Sequence, residues 1–117
     1  MKSLVFVYGT LKQGQRNYGF VEAAEYMGNH QTEPAFTMYE FDDYPAVTEW
    51  GVDSIYGELY RVNRNQFRKL DELEWYPRFY QRIKIKTHLG LAWMYVVKHE
   101  LCVGKRRCSG RWPDGCR

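Results

Sequence analysis

No Cys-x-x-Cys pair occurs in this chain, and its three histidines, His30, His88 and His99, lie far apart. A tetrahedral zinc site needs closely spaced thiolate and imidazole ligands, so the pattern argues against one, and neither a metal nor another cofactor is expected. Hydrolase and phosphate-loop signatures are missing too. There is no Gly-x-Ser-x-Gly elbow, Ser3, Ser54 and Ser109 have no evident base nearby, and no Gly-x-x-x-x-Gly-Lys-Ser/Thr run is present. No apolar stretch approaches the ~20 residues that span a bilayer, and no signal peptide precedes the first apolar run. The expected compartment is therefore the cytoplasm, with Cys102, Cys108 and Cys116 reduced and a Cys108–Cys116 bridge as the alternative. Internal repeats, low-complexity segments and linkers are likewise lacking.

What remains is an ordinary globular composition. At 117 residues, 44% hydrophobic and 26% charged, the chain reads as one domain, residues 1–117, able to bury a single core. Aromatic residues reach 17%, an excess that suits a strand-rich core. The net charge of +3 is unevenly placed. Residues 98–117 hold six basic side chains against two acidic ones, which leaves the preceding residues near −1. A basic tail can hold nucleic acid, but this one lacks interleaved aromatics and a patterned helix, so solvated terminal charge is the better reading.

Periodicity places the elements. Residues 3–8 read as a buried strand, and Asn17 as the cap of a helix reaching about Met27, with Phe20, Val21, Ala24 and Met27 at helical spacing. A strand is expected within 29–41, a turn at 42–45, a short strand at 46–48 and a firmer one at 54–62. Gly57 inside that last strand marks a bulge or the close approach of another group. Asn63 with Gln66 forms a capping box for a helix whose apolar stripe is Phe67, Leu70 and Leu73. Residues 79–87 and 91–97 form a hairpin turned at 88–90, and the tail from 101 is irregular, pinned back by Trp112. The class is α+β, mostly strands with two helices, and strands this short could close into a small mixed barrel.

Two features carry chemistry. The apolar run Leu4-Val5-Phe6-Val7 breaks into Tyr8-Gly9-Thr10-Leu11, a strand opening into a glycine-bearing turn whose amides can cradle an anion or oxyanion. Gly9 permits positive φ, Thr10 adds a hydroxyl, and Leu11 tucks inward to fix the turn. Glu74 shares a helical face with Leu70 and Phe67, whereas Asp71 and Glu72 fall on the solvated side. An inward carboxylate at a helix C-terminus is disfavoured by burial and by the helix dipole, and both raise its pKa toward values useful for proton transfer. Tyr80 and Arg82 share one face of a regular strand and read as a surface ladder, with a polar pocket as the alternative.

Tyr8-Gly9-Thr10-Leu11 with Gly14 and Asn17, then Tyr44-Pro45-Ala46-Val47, Tyr56-Gly57-Glu58-Leu59-Tyr60 and Leu70-Asp71-Glu72-Leu73-Glu74, resemble in order the motifs of the γ-glutamylcyclotransferase-like superfamily. Pro77 with Tyr80-Gln81-Arg82, Ala92-Trp93-Met94-Tyr95 and Ser109-Gly110-Arg111-Trp112 extend the likeness over nearly the whole chain. Arg111 departs from the pattern, since relatives commonly carry an acidic residue there. The resemblance is closest to γ-glutamylamine cyclotransferases. It implies a small mixed β-barrel with flanking helices, a small-molecule γ-glutamyl substrate bound through the 8–11 backbone, a catalytic carboxylate at Glu74 and no cofactor. Intramolecular attack of the substrate α-amine on its γ-carbonyl then gives 5-oxoproline and a free amine. A non-catalytic metabolite- or partner-binding module of the same fold is the alternative, and the amine-side pocket draws on Tyr44, Trp50 or Trp75.

Overall fold

The computed structural model describes residues 2–116; Arg117, counted in the basic tail, lies outside them. The described residues form eight strands and one α-helix: β1 Lys2–Val7, β2 Glu25–Gln31, β3 Phe36–Phe41, β4 Tyr44–Glu49, β5 Tyr56–Asn63, α1 Arg64–Leu73, β6 Gln81–Thr87, β7 Gly90–Val96 and β8 Arg106–Cys108. They form a five-stranded sheet in the order β2-β5-β1-β7-β6 and a three-stranded sheet in the order β4-β3-β8. This is the expected α+β class. The two sheets do not join into a closed ring, so the term barrel applies only loosely.

β1 sits at the centre of the larger sheet, antiparallel to β5 and parallel to β7. Burial on both faces explains its unbroken apolar run. Successive side chains point to opposite faces. Accordingly Val5 and Val7 join a cluster with Leu70, Tyr60 and Val62 on one side, and Phe6 and Tyr8 join Leu59, Met94 and Met38 on the other. Gly57 lies where β5 crosses the end of β1. A Cβ there would stand 2.2 Å from the Val7 carbonyl oxygen, so the close approach inferred from the strand glycine is real.

α1 begins as its sequence requires. Asn63 Oδ1 accepts from the Gln66 amide and Gln66 Oε1 accepts from the Asn63 amide, both at 2.8 Å. Leu70 is fully buried, and Phe67 and Leu73 pack against the same cluster. The helix stops where Glu74 leaves helical geometry and Trp75 turns to φ 56°. A left-handed residue is a common helix end, though a tryptophan there is unusual.

Three expectations need correction. The helix expected from Asn17 to Met27 is a 3-10 turn at Tyr18–Phe20 followed by β2, whose pairing with β5 overrides the helical spacing. Gly28 sits at the register shift in that pairing, with φ 112°. The tail is not irregular throughout, because β8 extends the small sheet along β3. Trp112 does seat in the core, as expected. Finally, Cys108 and Cys116 are joined as a disulfide, against the expectation of reduced thiols, and Cys102 is free and buried. Among the described residues no helix is long and apolar enough to cross a membrane.

The Gly57 contact yields a first prediction. Gly57→Ala should lower unfolding stability by about 1–3 kcal/mol, the usual cost of forcing atoms into a filled site. Chemical denaturation measures it, and an unchanged midpoint would show that β1 and β5 are not held at this distance.

Candidate active site

The end of β1 and the end of α1 open onto one cavity of about 410 Å³. Tyr8, Gly9, Thr10 and Leu11 line one side, and Leu73, Glu74 and Trp75 the other. Phe6, Val7, Tyr80 and Tyr95 border it from the core, with Arg16, Asn17, Tyr44, Pro45 and Phe79 completing the wall. The structure thus brings together all five residues singled out from the sequence. Of the three amine-side candidates it places Tyr44 and Trp75 on the cavity, whereas Trp50 is 87% exposed and away from it.

The turn is built from local chemistry. Gly9 does not use positive φ, contrary to expectation. A Cβ there would instead stand 2.7 Å from the Pro45 ring, so glycine is required by the approach of β4. Asn17 does not cap a helix with its side chain. Its Nδ2 donates to Thr10 Oγ1 at 3.0 Å and its amide donates to the Thr10 carbonyl at 2.9 Å. Because Thr10 Oγ1 accepts that bond, its own proton stays available to the cavity. Lys12 closes the turn by donating to the Gly9 carbonyl. None of the turn and loop hydrogen bonds of the described residues uses the amides of Gly9, Thr10 or Leu11 as donors. Leu11 is buried in the core and anchors the turn from below.

Glu74 faces this turn without a partner. Among the described residues no cation pairs with it and no side chain donates to it. It lines the cavity, is half-buried by surface exposure, and desolvation pushes its pKa up to about 7. The surrounding tyrosines are raised as well, chiefly by burial, then by the Glu74 charge at Tyr8, by the neighbouring Tyr8 at Tyr80 and by Asp71 at Tyr95, and so stay protonated. Their protons are already committed. Tyr8 donates to the Tyr95 carbonyl at 2.8 Å, Tyr80 to the Pro45 carbonyl at 2.7 Å, and Tyr95 to Asp71 Oδ1 at 2.7 Å. A carboxylate in this position can exchange a proton with a ligand rather than with a neighbour.

Three side chains differ from their sequence reading. Asp71 is not freely solvated, since it accepts from Tyr95 and lies 3.5 Å from Arg82. Tyr80 and Arg82 do not form a ladder: Tyr80 is buried on the cavity, while Arg82 packs among aromatic rings. Sequence reasoning missed Arg16 and the cavity role of Asn17. Arg16 bonds to the side chain and backbone of Asp43 at 2.9 and 3.0 Å, a contact between two loops that no periodicity announces. No group of three or more His, Cys, Asp or Glu among the described residues is arranged to hold a metal ion.

Fold and site together define a small α+β protein with a desolvated acid set opposite an amide-lined turn. The family model for gamma-glutamyl cyclotransferase, AIG2-like, matches residues 5–114, and the chain belongs to that family. It is 32% identical over 110 residues to the gamma-glutamylcyclotransferase family protein YtfP of Escherichia coli strain K12, covering 94% of this chain and 96% of that one. A Vibrio cholerae protein whose gamma-glutamylcyclotransferase name is provisional is 36% identical over 112 residues, 96% of each chain. The solution structure of ytfP from Escherichia coli matches with a TM-score of 0.76 at 32% identity over 97% of this chain and 99% of that one. The crystal structure of PH0828 from Pyrococcus horikoshii, at 23% identity and a TM-score of 0.80 over 96% and 91%, shares the fold. Family membership supports cyclotransferase activity in general.

The buried acid makes stability depend on pH. The folded protein holds the Glu74 proton up to about pH 7, against 4.5 for an unperturbed glutamate. Stability therefore falls as pH rises through that window, and the penalty is complete above it. Glu74→Gln should gain up to about 3 kcal/mol over the parent at about pH 8 and little at about pH 4. Denaturation midpoints at the two pH values test this, and an offset independent of pH rejects it.

Proposed function

We propose that this chain is a γ-glutamyl(amine) cyclotransferase, with Glu74 as general acid and base and the turn at Tyr8, Gly9, Thr10 and Leu11 as the substrate cradle. The observation that carries the reading is the common cavity, in which an unpaired carboxyl with a pKa near 7 faces uncommitted backbone amides.

The reaction is acyl transfer to the substrate's own amine. The α-nitrogen of the glutamyl group attacks the γ-carbonyl, a carbon–nitrogen bond closes the five-membered lactam, and the bond to the leaving amine breaks. Two protons leave the attacking nitrogen and two reach the departing one, so no water and no net proton is consumed. Glu74 accepts from the α-ammonium and returns to the leaving nitrogen, a relay that suits a group titrating near neutrality. The 9–11 amides and the Thr10 hydroxyl bind substrate oxygens and hold the chain curled for attack. Tyr8, Tyr80 and Tyr95 are only 6%, 6% and 3% exposed, whereas Trp75 is 69% exposed. The glutamyl end accordingly fits the inner part of the cavity. The amine leaves past Trp75, Tyr44 and Arg16.

Incubation with γ-glutamyl amino acids and γ-glutamyl amines should release 5-oxoproline, scored by chromatography. Glu74→Gln should keep the fold and lose ~10²-fold or more in turnover, and Glu74→Asp should also be impaired because the acceptor is withdrawn by one methylene. Near-parental turnover in Glu74→Gln would reject the assignment.

The ionised form of Glu74 is the one that accepts a proton. The kcat/KM profile should therefore fall on the acid side with an apparent pKa near 7. A plateau that extends down to about pH 5 would reject the raised pKa, because a glutamate at its ordinary value of 4.5 is still mostly ionised there.

A further inference from the structure

We infer that Arg82 is a positioning residue for Glu74, holding the segments on both sides of it; this rests on the proposed role of Glu74. The Arg82 guanidinium carbon lies 4.5 Å from the ring centre of Phe67, 4.2 Å from that of Tyr76 and 4.9 Å from that of Trp93. Those rings come from α1, from the loop that follows Glu74, and from β7. Arg82 itself stands on β6, directly opposite Tyr95 in the antiparallel pairing. One cation therefore touches three separate parts of the chain.

The ionic contact completes the grip. Arg82 Nε lies 3.5 Å from Asp71 Oδ1, the oxygen that also accepts the Tyr95 hydroxyl. Asp71 precedes Glu74 by three residues and Tyr76 follows it by two, so Arg82 fixes the backbone before and after the acid. The connection runs onward, because the Tyr95 carbonyl accepts from Tyr8 at the start of the opposing turn. A planar guanidinium can stack on rings and face a carboxylate at the same time, whereas an ammonium or a thioether cannot do both. Nε is otherwise buried without a hydrogen-bond partner, so the residue is held by stacking and charge rather than by a saturated bond network.

A double-mutant cycle between Arg82→Met and Glu74→Gln tests the inference, using only protein shown to be folded by near-ultraviolet circular dichroism. Arg82→Met should lower kcat by ~10-fold or more with KM nearly unchanged, and Arg82→Lys should recover part of that loss. In the Glu74→Gln background the same substitution should cost almost nothing, because the group it positions is gone. Full additivity of the two losses overturns the inference while leaving Glu74 as the proposed acid. If no γ-glutamyl compound yields 5-oxoproline with the parent protein, the functional reading fails and takes the catalytic meaning of Arg82 with it. Amide exchange over residues 74–80 then decides the structural part. Faster exchange confined to that segment in Arg82→Met supports the grip, and an unchanged pattern removes it.

Discussion

Tyr95 ties the two halves of the site together. Its hydroxyl donates to Asp71 near the end of α1, while its carbonyl accepts the Tyr8 hydroxyl at the start of the turn. One residue of β7 therefore spans the cavity wall and sets how far the helix end stands from the turn. Both bonds are buried or partly buried, where a lost partner leaves a polar group unsatisfied and costs more than the bond itself contributes. Rings around it reinforce the geometry: Tyr80 meets Tyr95 edge-on at 6.2 Å, and Phe79 meets Tyr80 at 5.0 Å. The aromatic excess of the sequence is thus partly core and partly cavity wall.

With the tyrosine protons committed elsewhere, the electrostatics of Glu74 become simple. A buried carboxylate normally acquires a cation or donors that hold it ionised. Here the nearby cations are engaged with other acids: Arg16 pairs with Asp43, and Arg82 faces Asp71. Burial alone then sets the acidity, and the protonation state stays sensitive to whatever enters the cavity. Such an arrangement destabilises the folded protein at alkaline pH. A structure selected for stability alone would have placed a leucine at position 74, continuing the stripe of Phe67, Leu70 and Leu73.

Much of this was legible in the residues because the relevant signals are local. The capping box at Asn63 and Gln66, the apolar stripe of α1, the 81–96 hairpin and the glycine at the β1–β5 crossing all depend on neighbours in sequence. The inward turn of Glu74 followed from counting along one helix face. The failures share a different cause. Residues 17–27 carry helical spacing, yet β5 offers β2 a ladder of backbone bonds that spacing cannot foresee. The counting that places Glu74 inward puts Asp71 in solvent, yet Tyr95, twenty-four residues away, holds it by a hydrogen bond. The role of Gly9 is hidden from local sequence for the same reason, because the Pro45 ring that crowds it belongs to another strand.

The position of the turn follows from the sheet rather than from the turn's own sequence. β1 is the central strand, and through Val7 its backbone is paired with β5 on one side and through Phe6 with β7 on the other. Beyond Val7 neither pairing continues, and the amides of Gly9, Thr10 and Leu11 have no ladder partners. Backbone donors left without a partner are tolerated only where water or a ligand can reach them. The cavity supplies that access, and Pro45, which has no amide of its own, packs against Gly9 without competing for an acceptor. Unpaired backbone donors therefore collect at the carboxyl end of the central strand for a topological reason, comparable to the one that puts ligands at strand ends in open α/β sheets. The helix then has only to deliver one acid across the gap, and the left-handed Trp75 ends it at the residue where that acid stands.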